Sequence, residues 1–240
     1  CRSNGIYLQW TDGNLPMEGT FNNIIVDTVG GHGFISAGPH DSHFSNIIVC
    51  DAGQNTDNAY YGFALLALNG NTFGNGACFN IHPWHRSGTT NRMAYSIYAN
   101  GSSAFIGCQA EGGRKLLRLG TKDIWVGGRI YAHFGANGSE MLTFAGNNAQ
   151  VVGTLFDNTG DPNNANPNGS TSANGDVYAV NFGSTAGNLV LESQFLGFRM
   201  RSPVNWGTST GLNYFQGTGY AGTAGGATAF GGTAHASDAW

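Results

Sequence analysis

The stretch Phe44-Ser45-Asn46-Ile47-Ile48-Val49-Cys50-Asp51-Ala52-Gly53 decides the fold, because the chain returns to it repeatedly. Phe21-Asn22-Asn23-Ile24-Ile25-Val26-Asp27 is an earlier copy. Ala104-Phe105-Ile106-Gly107-Cys108-Gln109-Ala110-Glu111 is a later one, aligned with Cys108 under Cys50. Looser copies start at Lys122, Ala149 and Gly187, each a short β-branched or aliphatic run closed by glycine or a polar residue. A second family of apolar runs alternates with the first, among them Gly33-Phe34-Ile35, Gly62-Phe63-Ala64-Leu65-Leu66 and Met141-Leu142-Thr143-Phe144. Two interleaved strand families with a combined period of roughly 20 to 40 residues predict stacked coils, since a single coil cannot bury its own apolar face.

The fold class read from this pattern is all-β, a single-stranded right-handed parallel β-helix over residues 1–200. The Gly/Thr/Ala-rich segment 201–240 follows as a cap or oligomerisation tail. Right-handedness follows from the usual sense of parallel crossovers. A helical protein is excluded: no window carries a three-turn apolar stripe, and the 39 glycines would each cost a helix interior about 1 kcal/mol. A β-sandwich is the alternative, and it predicts hairpins between consecutive runs. The stacked reading places Ile24, Ile47, Ile124, Val151 and Leu189 in one column, and residues 157–176, all turn formers, in a long exposed loop.

The 240 residues, 40% of them apolar, suffice for one buried core. Only 10% are charged and the formal net charge is −4, so there is no basic stripe and nucleic acid is excluded as a partner. No run of about 18 apolar residues offers a membrane span, and the N-terminus lacks the features of a signal peptide. A chain that starts at Cys1 rather than Met is expected to continue from a longer polypeptide. Cys1, Cys50, Cys78 and Cys108 lie far apart with no paired spacing, and are expected as buried free thiols. His40-Asp41-Ser42-His43 and His82-Pro83-Trp84-His85 share a His-x-x-His spacing, but they lie in loops and no nearby Cys or Glu completes a ligand set. We therefore expect no metal and no cofactor.

Ser103-Ala104-Phe105-Ile106-Gly107-Cys108-Gln109-Ala110-Glu111-Gly112, followed by Lys122-Asp123-Ile124-Trp125-Val126-Gly127-Gly128, resembles the pectate-lyase-like right-handed β-helix superfamily, especially its phage and phage-like tailspike branch. Phe44 to Gly53 is similar, and together the motifs cover residues 20–200. The resemblance implies an extracellular homotrimeric spike on a virion or related particle, joined to other particle proteins through a part that precedes Cys1. It further implies a partner in bacterial surface polysaccharide, bound and in many such proteins cleaved.

Two function classes stay open. In the first, aromatic side chains stack on sugar rings, with Tyr60, Tyr61, Trp84, Trp125 and Tyr131 as candidates and the basic cluster Arg114, Lys115 and Arg118 facing an acidic polymer. In the second, a hydrolase or lyase uses acids from Asp27, Asp41, Asp51 and Glu111, with Asp157 and Glu192 further along. Glycoside hydrolysis needs two carboxyls roughly 5 to 9.5 Å apart. Asp27 aligns with Cys50, one position before Asp51, so in regular strands the two acids face opposite ways unless one lies in a turn. A purely structural stalk is a third possibility, and it leaves the aromatic loops unexplained.

Overall fold

The computed structural model describes residues 3–9, 18–37, 41–67, 76–86, 91–132, 140–157, 179–196, 204–208 and 211–221. They form two sheets and no helix, and strands adjacent in sequence never pair with each other. One sheet has eight strands in the order β1 (Ile6–Gln9), β3 (Phe34–Ala37), β5 (Tyr61–Leu66), β7 (Tyr95–Ala99), β10 (Lys115–Leu119), β13 (Leu142–Phe144), β16 (Val180–Asn181) and β18 (Val204–Asn205). The other has eleven. It runs β2 (Thr20–Asp27), β4 (His43–Cys50), β6 (Ala77–Trp84), β8 (Ala104–Ile106), β11 (Ile124–Val126), β14 (Gln150–Val152), β17 (Leu189–Leu196), β15 (Leu155–Asp157), β12 (Arg129–Tyr131) and β9 (Gln109–Glu111), with β19 (Tyr214–Ala221) also on β17.

The ladders are parallel in both sheets. Parallel neighbours need a long crossover, and here the crossover from one strand of a sheet to the next passes through the other sheet. The hairpins expected of a β-sandwich do not occur among the described residues. The all-β, parallel, stacked arrangement is compatible with a β-helix or β-solenoid. Val204–Asn205 and Tyr214–Ala221 add strands to both sheets beyond residue 200. Residues 222–240 and 158–178, which hold the Gly-rich tail and most of the expected loop, lie outside the described residues.

The core is built from stacked columns. In the eight-stranded sheet Phe34, Phe63, Ile97, Leu117, Leu142, Val180 and Val204 are successive register partners. In the other, Phe21, Phe44, Cys78, Phe105, Trp125, Val151, Val190 and Phe215 are. The columns meet edge to face, with Phe44 5.8 Å from both Phe34 and Phe63. Cys50, Cys78 and Cys108 are buried free thiols, as their spacing led us to expect.

A bend crosses the second sheet and sets which side chains face out. Asn23, Asn46, Asn80, Gly107, Gly127, Gly153 and Glu192 occupy it along the stack, all left-handed, with φ between 50° and 66°. Asn46 Nδ2 donates to Asn23 Oδ1 (3.2 Å), and Asn80 Nδ2 to Asn46 Oδ1 (3.0 Å), a ladder of amides along the stack. The bend adds one outward residue and so resets the alternation. In β6, Cys78 points in, Phe79 and Asn80 are exposed, and Ile81 points in again.

This corner corrects two expectations. Because Phe105 pairs with Cys78 and Cys78 with Phe44, Cys108 falls in line with Ile81 and Ile47, not with Cys50. The bend, not the cysteine, is the feature the copies share. Likewise Ile24 and Ile47 share a column, but Ile124 aligns with Gln150 and Leu189 on the outer face, and Val151 with Trp125 in the core.

Candidate functional site

Beyond the bend, the outer face of the eleven-stranded sheet gathers most of the candidate residues. Asp27, Cys50 and Trp84 are register partners on β2, β4 and β6, and Glu111, Tyr131 and Asp157 are partners on β9, β12 and β15. β9 packs beside β6, with a Glu111 carboxylate oxygen 3.7 Å from His82 Nε2, two residues before Trp84. Asp27, Trp84, Glu111 and Tyr131 thus belong to one strip, and Asp51 turns in beside it.

Asp51 arrives there because it is itself left-handed, with φ of 52°. The turn brings its carboxylate to the same side as that of Asp27, and their nearest oxygens, with Cys50 Sγ, lie within 4.8 Å of one another. Arg86 joins the two acids: Nη1 and Nη2 donate to Asp27 at 2.9 and 2.6 Å, Nη1 to Asp51 at 2.8 Å, and its backbone N–H to Asp51 at 2.8 Å. The Arg86 guanidinium and then the Thr28 hydroxyl hold the Asp27 carboxyl down to about 2. Burial, and then the charge of Asp51, push the Cys50 thiol up to about 12, so it is neither a thiolate nucleophile nor a ready ligand. This acid–thiol group has the composition of a metal site, but the cation among its oxygens is the chain's own Arg86.

His85 is buried against the same acid, Nδ1 lying 3.3 Å from Asp51 Oδ1 and Nε2 accepting from the Met93 N–H at 3.2 Å. Burial lowers its pKa to about 4. An Asp–His pair can act as a base relay only if the outer nitrogen faces substrate, and here a backbone amide occupies it.

Trp84 remains partly open. Arg86 lies 5.9 Å from its ring centroid and the His82 ring stacks at 6.4 Å. Further along, the Arg129 guanidinium covers Tyr131 at 4.0 Å while pairing with Asp157. A flat ring flanked by an arginine and a histidine, with a carboxylate on that histidine, offers both an apolar surface and hydrogen-bond partners.

Other candidates fall elsewhere. Trp125 is fully buried and stacked on Phe105 at 5.8 Å, so it fills the core and offers no face to a ligand. Asp41, with φ of 51°, is the left-handed residue two before β4, the place that Ser102, Lys122 and Asn148 hold before their strands. Glu192 occupies the bend. Tyr61 opens β5 of the eight-stranded sheet with Tyr60 just before it; the His32 ring contacts both at 5.1 Å and His32 Nδ1 accepts from the Tyr61 N–H at 2.9 Å. His85 entered the sequence reading only through the His82-Pro83-Trp84-His85 spacing, set aside as a metal site, and Arg86 was given no role in a site. Their signal was their place, just past the end of a strand copy carrying Trp84, opposite Asp27 and Asp51.

No family model, no curated protein and no solved structure matches the chain.

Proposed function

We propose that this chain is a right-handed parallel β-helix that recognises bacterial surface polysaccharide, as the receptor-binding part of a homotrimeric spike on a phage-like particle. The observation that carries the reading is Trp84: a partly open ring at a strand end, flanked by Arg86 and His82, with Glu111 against His82. Sugar rings bind by placing an apolar face on an aromatic ring and directing hydroxyls to neighbouring polar groups. A rigid stack of strands holds such groups in place without a cost of ordering on binding.

Binding is favoured over cleavage. A hydrolase needs one neutral carboxyl as acid near pH 7, and the closest pair, Asp27 with Asp51, is bound by Arg86 with Asp27 held ionised. Glu111 stands three coils from Asp27, roughly 14 Å at about 4.8 Å per strand, outside the hydrolytic range.

The test is retention of the protein on capsule or lipopolysaccharide from a panel of hosts, with release of reducing ends and unsaturated sugars followed in parallel. Retention without release, weakened on the order of tenfold in Trp84→Ala, is the expected result. Release would replace binding by depolymerisation, and no retention across the panel would end the carbohydrate reading.

A further inference from the structure

The outer face of the eight-stranded sheet carries a second group of aromatic and basic residues, and Arg118 is its centre. Register places Ala64, Tyr98, Arg118, Thr143 and Asn181 in one column on five successive strands. The Arg118 guanidinium lies 4.2 Å from the centroid of the Tyr98 ring. Its Nη1 donates to the Ala99 carbonyl at 2.8 Å and to Asn100 Oδ1 at 3.3 Å. The stem is therefore anchored and the plane oriented, while the Nε and Nη2 edge donates to nothing among the described residues.

Arg118 also makes no ion pair among the described residues, whereas Arg86, Arg114, Lys115 and Arg129 each pair with a carboxylate. Glu140, which reaches two residues of this column, is already committed: it accepts from Lys115 Nζ (3.4 Å), Thr143 Oγ1 (2.6 Å) and Asn181 Nδ2 (2.6 Å). In a chain of net charge −4, a held guanidinium with a free donor edge is a site for an external anion. Tyr61 stacks on Tyr98 at 4.5 Å and Tyr95 meets it edge-on at 5.5 Å, so a cluster of tyrosine rings lies beside the charge.

We propose that Arg118, beside the Tyr61–Tyr95–Tyr98 cluster, binds an anionic sugar unit, its Nε and Nη2 gripping a carboxylate or phosphate substituent in a two-point contact. The proposal rests on the carbohydrate reading above for the class of ligand, but not on Trp84. An extended ligand lying across the strands would meet Tyr98, Arg118, Thr143 and Asn181 in turn, about 4.8 Å apart.

The experiment is a titration followed by backbone amide shifts, with three probes: an oligosaccharide containing glucuronate, the same oligosaccharide with its carboxyl reduced to the alcohol, and a sugar phosphate. We expect binding of one or both charged probes, with shifts at Tyr98, Arg118 and Thr143. Carboxyl reduction should weaken binding about 10- to 100-fold, the range for a charge-assisted hydrogen bond. Arg118→Gln should remove the preference for charge, Arg118→Lys should keep part of it, and Trp84→Ala should leave it unchanged. Which charged probe binds tells carboxylate from phosphate. Equal binding of charged and reduced probes, an Arg118→Gln variant that binds like the parent, shifts confined to the Trp84 strip, or no binding of any probe would each overturn the proposal. Loss of polysaccharide retention in Trp84→Ala with charge preference intact would separate the two sites.

Discussion

Gly127 and Gly128 are adjacent and both left-handed, but only one of them is also short of room. Gly127 holds the left-handed bend (φ 66°), and a Cβ there would meet nothing within 4 Å. Only its backbone angle restricts it, which is why asparagine serves at the same bend in Asn46 and Asn80. Gly128 has no room: a Cβ would fall 2.0 Å from the Cys108 carbonyl oxygen. Gly127→Asn should leave the denaturation midpoint nearly unchanged, and Gly127→Val should cost about 1–2 kcal/mol. Gly128→Ala should be the most damaging of the three, since backbone must move. The buried His85 gives a pH signature. Its pKa falls from 6.5 to about 4 on folding, so the unfolded chain binds the extra proton between those values. The stability of the neutral, buried form is present above pH 6.5 and is lost as pH falls toward 4, by roughly 3 kcal/mol. Urea midpoints of the parent and His85→Gln across this range should converge on acidification, and parallel curves would remove His85 as the cause.

Among the elements, the turns into the second sheet are tied by a recurring cap. Asp123 accepts the Ser103 N–H (2.8 Å) and the Gly120 N–H (2.6 Å), Asn188 accepts the Ala149 N–H (2.8 Å), and Asn213 accepts the Asn188 N–H (3.0 Å). Each cap lies one residue before a strand and satisfies a buried amide that no sheet partner reaches. Burial raises the Asp123 pKa to about 7 against the effect of its two amide donors. Asp123→Ala should cost about 2–4 kcal/mol in chemical denaturation, from two orphaned amides. Asp123→Asn should cost less, because one amide keeps its acceptor.

At the scale of the whole molecule, the outer face of the eleven-stranded sheet leaves an apolar row uncovered just before the bend, on β6, β8 and β11. Phe79, Ile106 and Val126 are register partners on neighbouring strands and stand 39%, 44% and 39% exposed, with Ile124 beside them at 38%. Contiguous apolar exposure of this kind marks a surface that another chain covers, and in the proposed trimer this row is the contact. Sedimentation equilibrium of the parent should then give three chains. The double variant Ile106→Glu, Val126→Glu should sediment as a monomer with unchanged β-sheet circular dichroism. A parent chain that stays monomeric at micromolar concentration would remove the trimer.

The amino-acid sequence by itself determined that the chain is all-β and that like strands stack on like. Short alternating runs and their recurrence are local patterns, and stacked copies bury their apolar side only against each other. It also marked Asp27, Trp84, Glu111 and Tyr131, which tertiary structure brings to one strip. Only that structure decided which neighbours face out. The left-handed bend resets the alternation in mid-strand, so a count along the chain misplaces Cys108 and offers Trp125 to solvent when it is packed on Phe105. The sequence offered Asp27 and Asp51 as a pair only on condition of a turn at one of them; that the turn falls at Asp51, and that Arg86 clamps both acids from 59 residues away from one and 35 from the other, only the structure decided. Contacts between residues so far apart depend on the length of every intervening coil, and no local run of residues encodes that sum.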